Sequence, residues 1–277
     1  MALLAYDSAD WATPPADSDD MAHGTSATTI AYARVASTLR GLDDRSDAPD
    51  AGDDAADEEI WRRVVDHLAA LRLAGRHALR VVEVGCGCGD WLLRTVARAR
   101  ATGFTAIEGL GIDPSVESIA VARQRATILA DPAIGVTFTV AELYDLLEKE
   151  AEDPADLILC LDTTLNIVPP QRRREVAREL TAAGAHLIAR ARSSDGDAIR
   201  HVAAIGPACA AVCDAAHDRL EIDMPDGVHI SLPWHGFAAD EVIALFASCD
   251  DVPGAFIDVI DNARGDLLIE VATERRA

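Results

Sequence analysis

Residues 81–91 read VVEVGCGCGDW: an apolar run enters three glycines at alternate positions and leaves on a helical pattern. Glycine is needed where a backbone turns sharply or where a ligand presses on the main chain. A loop of this kind that opens a helix favours a negative group, such as a carboxylate, in front of its free N–H groups. Gly85, Gly87 and Gly89 are therefore the first candidates for binding. Glu83 stands two positions before them. Asp113 ends the run AIEGLGID, 24 residues after Gly89, where a carboxylate can accept both hydroxyls of a ribose. The dinucleotide fingerprint G-x-G-x-x-G/A would need Gly or Ala at position 90, and Asp90 stands there instead.

The elements that must position these residues are legible as a pattern. Short apolar runs occur at 79–84, 106–113, 136–140, 156–161 and 185–191. Helical stretches separate them at 90–101, 115–130, 142–150 and 169–182. Continuous apolar strands joined by helices predict a parallel sheet covered on both faces. Farther on, Leu220, Ile222 and Met224 alternate with charged residues, and Val228, Ile230 and Leu232 alternate with other residues. The turn signal MPDG between them predicts an inserted β-hairpin. A helix follows at 237–248. Two strands at 255–260 and 266–272, joined by DNARG, close the pattern as an antiparallel pair.

Ahead of the sheet, residues 58–75 carry Ile60, Trp61, Val64, Val65, Leu68 and Leu71 on one helical stripe. Residues 24–41 also read as a helix, with Thr25 or Ser26 as its cap. Between the two helices, DDRSDAPDAGDDAAD (43–57) reads as an acidic linker. The expected division is a 1–56 arm and helical lid, then a 57–277 catalytic domain with an insert at about 196–235.

Charge narrows the function. The chain has 277 residues and a net charge of −22, and residues 1–60 alone hold 14 acids against three arginines. Nucleic-acid binding needs a basic footprint, so neither nucleic acid nor an anionic membrane is an expected partner. No apolar run of 18 residues predicts a membrane span. The N-terminus lacks the pattern of a signal peptide. The six cysteines then read as reduced thiols in the cytoplasm. Cys86 and Cys88 stand two apart, and Cys209 and Cys213 stand four apart on an expected helix. Neither pair has C-x-x-C spacing, so no metal site is expected.

Taken together, the acid–apolar–GxGxG motif from Glu83 to Gly89, GIDPS with Asp113, VAELYDL after the third strand, and DLILCLDTTLNIVPP on the fourth resemble the class I S-adenosylmethionine (SAM) dependent methyltransferase family. The resemblance covers about 79–273. It implies a Rossmann-like seven-stranded α/β sheet, mostly parallel with an antiparallel last strand and helices on both faces. It also implies SAM as cofactor and S-adenosylhomocysteine as product. By resemblance, Gly85, Gly87 and Gly89 approach the methionine and ribose parts of SAM. Glu83 orients the ammonium, Asp113 holds the ribose, and Glu142 takes the adenine amino group. Asp162 and the backbone around Leu161 face the methionine end and the sulfonium.

The family's acceptor site lies above the strand C-termini. The regions there offer Tyr6, Trp11, Tyr32, Asn166, Arg192, His201, His229, Trp234 and His235. His235, in LPWHGF just before a helix, is the candidate general base. Asp162 and Asn166 are candidates to position an acceptor amine or hydroxyl. Tyr6, Trp11, Tyr32 and Trp234 are candidates to contact substrate, since aromatic faces suit a cationic sulfonium. Asp162-Thr163-Thr164-Leu165 stands where enzymes acting on DNA bases carry N/D-P-P-Y/F. The expected reaction is methyl transfer to a small-molecule amine or hydroxyl, in natural-product biosynthesis. The alternative uses the aminocarboxypropyl arm of SAM, including cyclisation to azetidine-2-carboxylate, and releases methylthioadenosine. Oligomeric state is not legible in the sequence.

Overall fold

The structure, a computed structural model, describes residues 53–142, 154–161, 163–194, 210–223, 227–249, 256–261 and 265–273. Helix α1 (Asp53–Leu73) leads into β1 (Ala78–Val84), α2 (Asp90–Thr102), β2 (Ala106–Asp113), α3 (Val116–Ala126) and β3 (Ile134–Val140). Then come β4 (Leu157–Cys160), a 3₁₀ turn (Pro170–Arg172), α4 (Arg173–Ala183) and β5 (His186–Arg192). Three short strands follow: β6 (Ala210–Asp214), β7 (Arg219–Asp223) and β8 (His229–Pro233). The chain ends through α5 (Ala239–Ala247), β9 (Phe256–Asp261) and β10 (Asp266–Ala272).

Seven strands form one sheet in the order β3-β2-β1-β4-β5-β10-β9. Strands β1 to β5 pair in parallel, and β10 lies antiparallel between β5 and β9. This is the expected Rossmann-like sheet. Every side chain of β4 is buried, as a strand covered on both faces requires. One face packs Ile60, Val64 and Leu68 of α1 with Leu92, Val96 and Ala99 of α2. The other packs Val176, Ala177 and Leu180 of α4 with Val242 and Phe246 of α5. Each Val or Leu so buried contributes roughly 1.5–3 kcal/mol. Helix α2 stops at Gly103, whose left-handed backbone (φ 101°) donates back to the carbonyls of Ala99 and Arg100.

Some bounds and elements differ from those expected. Helix α1 begins at Asp53, ahead of the expected start at 58. Acids favour a helix N-terminus, and these acids also find arginines: Asp57 pairs with Arg190 at 2.8 Å and Glu59 with Arg63 at 3.0 Å. The expected hairpin is present as β7 and β8, and β6 adds a third strand on the other side of β7. Strand β6 contains Cys213, which was expected on a helix. Asp214 turns the chain there, its side chain accepting from the Ala216 N–H and its carbonyl from the His217 N–H. Pairing with β7 then overrides the helix preference of alanine. Helix α3 stops at Ala126, short of position 130. The expected helices at 24–41 and 142–150 lie outside the described residues. Among the described residues, no helix is long and apolar enough to cross a membrane.

Candidate cofactor site

Gly85, Gly87 and Gly89 all adopt left-handed backbone, at φ 69°, 50° and 79°. Two of them, Gly85 and Gly89, also have no room for a side chain. A Cβ on Gly85 would lie 2.1 Å from Thr164 Oγ1, and one on Gly89 would lie 2.6 Å from Phe138 Cζ. A Cβ on Gly87 would meet nothing within 4 Å. The middle of the loop therefore faces open space, while its two ends are held by neighbours.

Buried carboxylates fix the loop from behind. Gly89 caps α2 without a side chain, and Glu83 does that work from β1. Its Oε2 accepts from the Leu92 N–H at 2.9 Å, and the residue is 3% exposed. Asp113, 4% exposed, accepts from the Gly87 N–H at 2.9 Å through Oδ2 and from the Ser115 N–H at 2.8 Å through Oδ1. The strand-end acid is thus tied to the centre of the glycine loop. Burial, then the charges of Glu83 and Asp113, push the Cys86 thiol far up, so Cys86 is an inert filler. Phe138 is buried between Gly89 and Gly111, where a Cβ on Gly111 would lie 2.5 Å from its ring. The alternating glycines of β2, Gly109 and Gly111, were the sequence signal for such a ring.

The loop stands at the point where the strand order reverses, between β1 and β4. Open α/β sheets bind ligands in the crevice beyond the strand C-termini at that point. Leu161 is buried just past β4, and Glu142 is half-buried two residues past β3. Asp162 lies outside the described residues, as do Tyr6, Trp11, Tyr32 and His201. Trp61 of α1 lies 6.3 Å from Trp91 in the first turn of α2, with the Arg94 guanidinium 3.8 Å above the Trp61 ring.

The expected acceptor residues are placed differently. Asn166 is fully buried, with both amide protons donated, to the carbonyls of Arg192 (3.0 Å) and His235 (2.6 Å). Its Oδ1 accepts from the Arg192 N–H at 2.9 Å. Asn166 is therefore a brace, because no donor remains for an acceptor molecule. His235 has Nδ1 2.8 Å from Asp218 and Nε2 2.8 Å from Glu241. With both nitrogens against carboxylates, neither is offered to an acceptor's proton. Burial alone would raise the Asp218 carboxyl, but hydrogen bonds from His235 and Arg173 outweigh it and hold the carboxyl low. The Arg173–Asp218–His235–Glu241 chain thus joins α4, the β6–β7 turn and α5. Trp234 is buried at 3% exposure. Arg192 pairs with Asp266, and His229 is exposed between Glu221 and Asp223, whose hydrogen bonds raise its pKa.

A cavity of about 460 Å³ opens at the opposite ends of the strands. It is lined by Arg76, Arg80, Glu108 and Asp156. Arg76 pairs with Asp156 at 2.6 Å and Arg80 with Glu108 at 3.6 Å. These charges satisfy one another, and the glycine loop is not part of the cavity.

Residues 81–184 match the family model described as a methyltransferase domain. Among solved structures, WbdD is 15% identical with a TM-score of 0.50, over 84% of this chain and 38% of that one. That likeness is one of fold. Magnesium protoporphyrin IX methyltransferase from Synechocystis PCC 6803 is 14% identical with a TM-score of 0.49, over 88% of this chain and 93% of that one. The 1,6-didemethyltoxoflavin-N1-methyltransferase of Burkholderia thailandensis is 16% identical with a TM-score of 0.49, over 94% and 93%. Comparison with the curated proteins finds no match. The match places a methyltransferase domain at residues 81–184, and the glycine loop, the strand-end acid and the sheet order around it fit a SAM-dependent methyltransferase, with SAM as methyl donor and S-adenosylhomocysteine as product.

Proposed function

We propose that the chain transfers the SAM methyl group to an amine or hydroxyl of a small molecule, in a specialised pathway of the cytoplasm. The observation that carries this reading is Gly87. It is left-handed, anchored to Asp113, and faces open space at the strand-order reversal. That cradle fits a cofactor pressed against main chain, and a side chain would fill it. The net charge of −22 opposes a phosphate-rich polymer as acceptor and supports a small molecule.

SAM supplies an electrophilic methyl group. The protein's task is alignment and exclusion of water. Main-chain N–H groups of the loop and the N-terminus of α2 offer positive dipole to the carboxylate of the cofactor. Asp113 fixes the loop and stands by the ribose, and Glu142 stands by the adenine. Asn166 and His235 act one step back, holding the β4 loop and the Trp234–Phe237 segment in register. His235 then works as a joint between two carboxylates and leaves the acceptor's proton to another group.

Incubation with SAM and a panel of small amines and phenols, read by mass spectrometry, tests the proposal. The expected result is S-adenosylhomocysteine together with an acceptor heavier by one methyl group. Methylthioadenosine formed from SAM alone would overturn it in favour of aminocarboxypropyl chemistry.

A further inference from the structure

Helix α1 is pinned to the far half of the sheet. The buried Arg63 guanidinium pairs with Asp258 of β9 at 3.0 Å and with Glu270 of β10, and Asp57 pairs with the buried Arg190 of β5 at 2.8 Å. From the same helix, Trp61 reaches the start of α2. Its ring lies 6.3 Å from that of Trp91, and the Arg94 guanidinium stands 3.8 Å above it and 5.6 Å from the Trp91 ring. Both rings are half-buried. The stack therefore joins the first turn of α2, which the glycine loop opens, to a helix that is fixed elsewhere.

That first turn has few other holds. Gly89 caps α2 without a side chain. Behind the turn, Glu83 accepts from the Leu92 N–H. Beside it, Arg125 of α3 pairs with Asp90 at 2.7 Å, but both side chains are exposed, and such pairs contribute little. Two half-buried rings with a guanidinium over one of them hold more firmly. We infer that Trp61 is a positioning residue for cofactor binding: through Trp91 and Arg94 it holds the first turn of α2, and with it the end of the glycine loop, in the arrangement that receives SAM. This rests on the cofactor placement proposed above. A loop held ready costs less to order when the ligand arrives, so loss of the ring is felt as affinity. Trp61 acts through α2 and is assigned no contact with the ligand.

The test is a calorimetric titration of the full chain with S-adenosylhomocysteine, read beside amide hydrogen exchange over residues 85–93 and the urea midpoint. Trp61→Ala is expected to weaken S-adenosylhomocysteine by about fivefold and to speed exchange of that segment in the ligand-free chain. Saturating S-adenosylhomocysteine should return its exchange to the wild-type rate, because the ligand then orders the turn. Trp61→Phe keeps a ring under Arg94 and should restore both readouts. His67→Gln at pH 7 alters α1 where it stacks on His186, away from Trp91, and should change neither. Should Trp61→Ala fail to fold, Trp61→Leu, which keeps apolar bulk without the ring, is read in its place. A lower urea midpoint with unchanged affinity and unchanged exchange makes the stack packing alone and overturns the inference. Weaker binding with wild-type exchange overturns it too, since Trp61 would then touch the ligand itself. Wild-type chain that does not bind S-adenosylhomocysteine overturns the cofactor placement as well.

Discussion

On the β3-β2-β1 side of the sheet, the site is built from main chain. Three left-handed glycines form the proposed binding surface, and two buried carboxylates, Glu83 and Asp113, hold this stretch by accepting backbone N–H groups. On the β4-β5-β10 side, the corresponding work falls to side chains that reach far along the sequence. Asn166 bridges to Arg192 and His235, 26 and 69 residues away, and Arg173 reaches Asp218, 45 residues away. A surface of main chain serves a ligand that does not vary. Side-chain braces fix a framework while leaving the residues in front of it free to differ, which suits the acceptor half of a transferase.

The largest expected effect breaks the first half alone. Gly87→Val puts a β-branched side chain on left-handed backbone and into the open cradle. S-adenosylhomocysteine affinity should fall by more than about 100-fold, about 2.7 kcal/mol. Because nothing lies within 4 Å of the new Cβ, stability should fall by only about 1–2 kcal/mol from backbone strain. Calorimetry and urea unfolding read the two effects separately. Binding that survives the change would put the cofactor elsewhere.

Asn166→Ala inverts that pattern. It strips three buried hydrogen bonds and should lower the unfolding free energy by about 3 kcal/mol. S-adenosylhomocysteine should still bind. An unchanged urea midpoint together with lost methyl transfer would return Asn166 to the reaction itself.

A smaller effect belongs to neither half. His67 of α1 stacks on His186 of β5, ring centroids 4.0 Å apart, near the N-terminal ends of the strands. Burial, and then the neighbouring His186, lower its pKa from 6.5 to about 4; the Asp156 carbonyl and Glu270 oppose the shift. The unfolded chain takes up this proton first, so stability falls as pH drops from 6.5 towards 4. With His67 half-buried, His67→Gln should remove about 2 kcal/mol of that loss, read as a flatter urea midpoint between pH 7 and pH 4.5. The same variant should leave S-adenosylhomocysteine affinity at pH 7 unchanged. A matching pH slope in wild type and variant would assign the loss to other groups.

The same contrast explains what could be read in the sequence. Glycines at alternate positions and an acid at a strand end are short-range signals, fixed by backbone geometry. The parallel sheet followed from apolar runs joined by helices, and its seven-stranded form from the family resemblance. The Thr164–Gly85 contact, the Phe138 ring between two glycines and the Asp218–His235 pair join residues distant in the chain, and no period or propensity announces them. His235 looked like a base because histidine beside a helix start is chemically suggestive; two carboxylates at 2.8 Å made it a joint. Cys213 looked helical among alanines until β7 supplied a pairing partner.

A crystal structure of the full chain with S-adenosylhomocysteine tests the central claim most directly. The account predicts adenine beside Glu142, ribose hydroxyls at Asp113, and the main chain of Gly85 to Gly89 against the ligand. Density for the ligand at the opposite ends of the strands, among Arg76, Arg80 and Glu108, would contradict it.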